Sequence, residues 1–204
     1  MDTARLGRSR PRDAARAALG FRPDDFVLAY VGRFSAEKRP HAVIDAVALL
    51  PDRFKALLVG WGWLQGDLMA RANAAIPGRY AFSLARDYLG DVYHAADAVV
   101  LASAEEGCAL VVLEAMFCGR PVIVTPVGAV PEVVEDRVNG LVVAGDPASV
   151  AAAARLLADR PAWAAAVGRE GQAYADRHGH AARMAREYEA LFRRLWDASP
   201  RRAS

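Results

Sequence analysis

The chain has 204 residues, 54% of them hydrophobic and 25% charged, with a mean hydropathy of +0.08, which fits a folded globular protein and excludes a disordered one. A formal net charge of +2 is too small to argue for nucleic acid, and no aromatic–basic module supports that partner. No window approaches the roughly 18 uninterrupted apolar residues of a membrane span, and the opening MDTARLGRSRPRDAARAALG lacks a signal peptide's apolar core, so a soluble, cytoplasmic protein is expected.

The length suits one core, with residues 1–23 a basic linker segment and 24–200 a single domain. Arg5, Arg8, Arg10, Arg12 and Arg16 crowd one end, and Arg193, Arg194, Arg201 and Arg202 the other. They are expected to be solvated tails and helix faces; loose contact with an anionic membrane surface is the sharper alternative. Cys108 and Cys118, the only cysteines, are expected to be reduced apolar fillers.

Short apolar runs then alternate with helical patterns. FVLAYVG (26–32) predicts a buried strand, RPHAVIDAVALLP (39–51) a helix with Pro40 in its first turn, and FKALLVG (54–60) the next strand. A helix is expected over 64–75, a weaker strand over 79–84 and a short helix over 87–96. DAVVLAS (97–103), the helix ALVVLEAMFC (109–118) stopped by Gly119, and the strand RPVIVTP (120–126) follow. A short helix at PEVVED, a strand over 140–145 and helices over 147–159, 161–178 and 180–197 complete the chain. Near-continuous apolar strands alternating with helices specify a parallel sheet covered on both faces: an α/β, doubly wound, Rossmann-like domain of about six strands. Ligands of such sheets bind at the carboxyl ends of the strands.

The residues after each strand therefore carry the functional question. After the first strand come Arg33 and Lys38, whose fork and point charge suit phosphate oxygens. A solvated loop with Lys38 paired to Glu37 or another acid explains the two residues alone as well. GWGWLQG supplies Gly60, Gly62 and Gly66, one residue longer than the dinucleotide fingerprint and after the second strand. A close approach to a ligand or a tight turn accounts for these glycines; Trp61 and Trp63 are expected to pack in the core or on the surface, with a pocket wall as the alternative. After DAVVLAS, the helix tip near Cys108–Leu110 offers unpaired amides and a positive dipole end, suited to an anion. Glu114 lies about one and a half turns further in, its side chain leaning back toward that tip. There it is placed to accept from a sugar diol, as on a nucleoside diphosphate. Glu106 precedes the helix, on the far side of such phosphates; Glu105 is an exposed acid beside it.

The motifs VGRFSAEKRP, LLVGWG and YHAADAVVLAS, with Glu106 and Glu114 as E-x7-E and EAMFCGRPVIVTPVGAVPEVVEDRVNGLVV in that order, resemble the C-terminal domain of a family 4 retaining glycosyltransferase. That resemblance implies one half of a GT-B fold, a UDP-, GDP- or ADP-sugar as co-substrate, a hydroxyl acceptor and no metal or other cofactor. It implies that Arg33 and Lys38 neutralise the diphosphate, that Glu114 binds the ribose, and that Glu106 serves as nucleophile or positioning group near the donor sugar. Further donor contacts are implied at Gly107, Cys108, Ala109 and Leu110 on the helix tip, and at Gly32, Gly62, Arg86 and Gly128. The chain departs from the family at Cys108–Ala109, where an aromatic–glycine pair is usual. YAFSLARDYLG is shorter than the base-binding segment, with Ser83 to Arg86 in its place. DTARL resembles the end of the interdomain linker, so an N-terminal acceptor domain is the expected missing partner, with little or no activity without it. YEALFRRLWD resembles the segment that packs on that domain, so an exposed apolar patch is expected there. A non-catalytic nucleotide-sugar-binding subunit or sensor is the alternative.

Overall fold

A computed structural model of the chain describes residues 6, 9–84 and 89–198. Helix α1 (Arg12–Ala18) leads to strand β1 (Phe26–Val31), then a 3-10 turn (Ala36–Lys38) and α2 (His41–Ala48). Next come β2 (Phe54–Val59), α3 (Gln65–Ala75), β3 (Tyr80–Ser83), α4 (Leu89–Ala95) and β4 (Ala98–Leu101). They are followed by α5 (Leu110–Phe117), β5 (Val122–Val124), α6 (Val130–Val133), β6 (Leu141–Val142), α7 (Pro147–Asp159), α8 (Pro161–His178) and α9 (Ala181–Ala198). Each expected strand and helix has its counterpart, and α7 and α8 start and stop on the expected residues. Helix α7 has a legible start: Pro147 occupies its first turn and the Asp146 carboxylate accepts from the Ser149 amide at 3.0 Å.

All six strands run parallel in the order β3-β2-β1-β4-β5-β6. The chain winds outward from β1 to β3, then returns to lay β4 beside β1, with Leu28 opposite Ala98. At that reversal the connections after β1 and β4 leave for opposite faces, opening a crevice between them.

Side chains alternate across the sheet with the period of two that a strand imposes. Val27, Ala29, Leu57, Val59, Val99 and Leu101 pack with Tyr93 of α4 and Val112 and Met116 of α5. Leu28, Tyr30, Ala56, Leu58, Ala98 and Val100 pack on the other face with Val43, Val47, Leu68 and Leu157. Both faces are thus dry, as continuous apolar strands require.

Arg10, Arg12 and Arg16 are not a solvated tail. Arg16 is 2% exposed; its Nε donates to the Ala95 carbonyl at 3.0 Å and a terminal nitrogen to Asp97 Oδ2 at 2.5 Å. Arg12 pairs with the other oxygen of Asp97, and Arg10 Nε lies 3.3 Å from Asp91. Asp97 sits at the amino end of β4, where a largely buried carboxylate needs cationic donors, and α1 brings two. Arg5, Arg8, Arg201 and Arg202 lie outside the described residues. Cys108 is exposed and so not a filler, whereas Cys118 is half-buried and its thiol is pushed up to about 11 by burial. Among the described residues no helix is long and apolar enough to cross a membrane. The closing helix α9 does carry an exposed apolar face: Met184, Tyr188, Leu191, Phe192, Leu195 and Trp196.

Candidate functional site

The connections after β1 and β4 are stitched together at the crevice. The Ala104 amide donates to the Glu37 carbonyl at 2.7 Å, joining the loop after β4 to the 3-10 turn after β1. Lys38 reaches across the same gap: its Nζ lies 3.0 Å from Glu106 Oε2 and donates to the Glu105 carbonyl at 3.0 Å. Glu106 Oε1 accepts from the Ser103 hydroxyl at 2.7 Å. Both oxygens of a side chain only 9% exposed are therefore held. Lys38 is paired with an acid, as one reading of the loop allowed, and that acid is the other candidate residue.

The loop after β5 closes the third side. The Ala129 amide donates to the Gly107 carbonyl at 3.2 Å, and the Thr125 hydroxyl to the Ser103 carbonyl at 2.7 Å. Gly128 has φ +57, and a Cβ there would stand 1.9 Å from the Glu106 carbonyl oxygen. Glycine is required because two backbones touch.

At the tip of α5, Gly107 and Cys108 are exposed and Leu110 is half exposed. The Leu110 amide turns back to the Cys108 carbonyl and the Val112 amide to that of Ala109. Among the described residues, the Gly107, Cys108 and Ala109 amides donate to no acceptor. Nothing lies within 4 Å of a Cβ built on Gly107. One turn further, half-buried Glu114 accepts from the Tyr93 hydroxyl at Oε2, 2.6 Å away. Burial first, then the adjacent Glu114, holds the Tyr93 phenol far above its ordinary value. It therefore remains an O–H donor across the working pH range. That bond is how a carboxylate is tolerated inside LVVLEAMF.

Beside this cluster, a cleft of about 480 Å³ runs along the carboxyl ends of β1, β2 and β3. Gly32, Arg33, Gly60, Trp61, Leu84 and Leu89 are among the residues that line it. Arg33 is exposed there. The Tyr30 hydroxyl beneath donates to the Arg33 carbonyl at 2.6 Å, and its phenol is raised by burial and then by Glu106. Trp61 and Trp63 are 66% and 70% exposed, so neither is a core residue; Trp61 walls the cleft. Gly62 instead meets neighbouring backbone, where a Cβ would come 2.3 Å from the Phe34 carbonyl oxygen. Arg86 lies outside the described residues.

The structure thus joins Lys38, Glu106, Gly107 and Gly128 in one cluster at the crevice. Arg33 and Gly32 occupy the adjoining cleft, and Glu114 lies a turn inside. Sequence reasoning missed three supports. Ser103, three residues before Glu106, lay in plain view as a polar residue ending a strand. Tyr93 is 21 residues from Glu114, and Tyr30 is embedded in an apolar strand; neither position carries a local signal.

The profile of the family described as glycosyl transferases group 1 matches residues 25–160, a span from the start of β1 to the end of α7. The chain belongs to that glycosyltransferase family. The D-inositol 3-phosphate glycosyltransferase of Actinosynnema mirum is 39% identical over 157 residues, covering 69% of this chain and 38% of the relative. Its namesake 2 from Catenulispora acidiphila is 34% identical over 94% of this chain and 49% of its own length. The chain therefore spans less than half of either glycosyltransferase. Among solved structures, sucrose-phosphate synthase from Thermosynechococcus elongatus superposes with TM-score 0.80 at 31% identity, over 94% of this chain and 50% of that one. Anabaena HepE in complex with UDP and glucose gives 0.86 at 25% identity, over 94% and 55%. This glycosyltransferase domain is one Rossmann-like half of a GT-B fold.

Proposed function

We propose that the chain is the donor-binding half of a retaining glycosyltransferase. It takes a sugar from a nucleoside diphosphate sugar and delivers it to a hydroxyl acceptor presented by a second domain. The observation that carries this reading is the meeting, at the β1/β4 reversal, of the Lys38 ammonium, the Glu106 carboxylate and the open amides of Gly107–Ala109. Fixed N–H dipoles at a helix tip and a nearby ammonium favour a diphosphate. Arg33, exposed on the adjoining cleft, adds a fork to the same anion. The likeness to HepE, which binds UDP and glucose, favours UDP among the nucleotides.

In the reaction, the bond from the anomeric carbon to the β-phosphate oxygen breaks and a bond to the acceptor oxygen forms on the same face. The acceptor's proton passes to the departing phosphate. Negative charge grows on that phosphate, and Lys38, Arg33 and the helix-tip amides stabilise it where it develops. Those cations do the work a divalent metal performs elsewhere, so no metal is required. Glu106 acts by position: with Ser103 on one oxygen and Lys38 on the other, it orients the ammonium and the sugar hydroxyls rather than attacking. Glu114 Oε1 accepts from the ribose diol while Tyr93 holds Oε2. Turnover requires the cleft to be closed by the acceptor domain, and the exposed face of α9 is the surface on which that domain packs.

Calorimetry with UDP, GDP, ADP and uridine tests the reading. Arg33→Ala should weaken UDP by about ten-fold or more, the worth of a charge-assisted hydrogen bond, and leave uridine unchanged. Glu114→Ala should weaken UDP and uridine alike. Equal affinity of wild type and both variants for every nucleotide would end the proposal.

A further inference from the structure

The opposite, amino-terminal edge of the sheet holds a second cavity, of about 520 Å³. Its apolar wall includes Phe26 at the start of β1, Pro121 before β5, Leu157 near the end of α7 and Ala164 in the first turn of α8. Three arginines also line it, Arg12, Arg120 and Arg169, against a single carboxylate, Asp97.

That carboxylate is already committed. Arg12 and Arg16 take its two oxygens, and the Val27 amide donates to Oδ2 at 2.7 Å. Arg120 forms no direct ion pair among the described residues, and Asp97 acts on it only at longer range. Its one side-chain hydrogen bond is a long 3.4 Å contact to the Ala96 carbonyl, and its buried Nε is the one buried side-chain polar atom among the described residues with no partner. Burial first, then the Arg12 guanidinium, weighs against its charged form, with Asp97 opposing them in part. Arg169, exposed at the rim, forms no ion pair among the described residues. A half-buried guanidinium whose buried Nε has no acceptor, lining an apolar-walled cavity of ligand size, is an unsatisfied arrangement. The first turn of the 18-residue helix α8 forms one wall and adds its positive end.

We propose that this cavity binds a small molecule carrying an oxyanion, carboxylate or phosphate, on a short apolar body, with Arg120 and Arg169 as its cationic contacts. The oxyanion supplies the acceptor that Asp97 cannot, and the apolar body fills the space against Phe26 and Leu157. The site lies across the sheet's length from the cluster at Lys38 and does not depend on it.

Amide NMR titrations of the whole chain with octanoate, octyl phosphate and inorganic phosphate test this. Saturable shifts are expected at Gly119, Arg120, Ala164 and Arg169 with either octyl compound, and at least ten-fold weaker binding with inorganic phosphate. The tighter of the two octyl ligands identifies the head group. Arg169→Ala, an exposed change that leaves the fold intact, should weaken binding several-fold, and Arg120→Met should abolish it. Arg120→Met should also melt no lower than wild type without ligand, because it removes a half-buried charge that has no direct ion pair. Lys38→Ala should leave the titration unchanged. Shifts confined to residues 107–110, loss of binding in Lys38→Ala, equal affinity for inorganic phosphate, or no effect of Arg169→Ala would each overturn the proposal.

Discussion

The Tyr93 hydroxyl donates to Glu114 across 2.6 Å, tying the helix before β4 to the helix after it. A fully buried phenol on one helix thus sets the direction of a half-buried carboxylate on the next. If Glu114 holds the ribose, Tyr93 positions it. Tyr93→Phe keeps the ring and removes one hydrogen bond to a charged acceptor, worth about 1.5–3 kcal/mol where buried. Only part of that reaches the ligand, because the bond lies within the protein: affinity for UDP and for uridine should fall together, by about three- to ten-fold, measured by calorimetry. Glu114→Gln combined with Tyr93→Phe should cost less than the sum of the two changes.

The pair of Lys38 and Glu106 is the second coupling. Lys38→Met leaves a carboxylate that is 9% exposed with only the Ser103 hydroxyl. Chemical denaturation should show a loss of about 1–3 kcal/mol, the cost of an unsatisfied buried group. Adding Glu106→Gln should restore part of it. A loss as large in the double variant as in the single one would deny the coupling.

Two glycines in this cluster should respond unequally to alanine. Gly128→Ala places a methyl against the Glu106 carbonyl at a positive φ and should cost about 1–3 kcal/mol while shifting the Glu106 amide in NMR spectra. Gly107→Ala meets open space, so its stability should stay within about 0.5 kcal/mol of wild type.

Asp97 holds α1 to the sheet. Asp97→Asn leaves Arg16, 2% exposed, without its counter-charge. Breaking a buried pair on one side costs about 3–5 kcal/mol, read as a lower denaturant midpoint. Arg53, paired with Asp159 at 3.7 Å on the surface, provides the contrast. Arg53→Ala should change stability by less than about 1 kcal/mol.

Stability should also depend on pH through His94. Burial and the nearby Arg120 hold its imidazole below the ordinary 6.5. In the window between 6.5 and that lower folded value the unfolded chain binds more protons, so stability falls as pH falls. His41, also lowered by burial, contributes in the same direction. His94→Gln should flatten part of the acid limb of a melting-temperature profile, and an unchanged slope would assign the effect elsewhere.

Strands such as FVLAYVG and FKALLVG were legible because burial on both faces demands uninterrupted apolar residues. Helices α7 and α8 were legible because proline at each start and polar residues at each end punctuate them. Glu106 and Glu114 stood out as carboxylates where apolar residues prevail. Helix α1 was missed because RDAARAA has no apolar stripe; its burial comes from arginines meeting Asp97, some 80 residues away.

Local composition determined the elements, their parallel arrangement and the residue types after each strand, since periodicity and turn chemistry act between near neighbours along the chain. Tertiary structure alone decided the strand order, and with it the approach of Lys38 to Glu106, of Tyr93 to Glu114 and of Gly128 to the Glu106 backbone. Those contacts depend on which strands lie side by side. That is settled by how the two apolar faces of the sheet are covered, a condition on the whole chain that no single segment encodes.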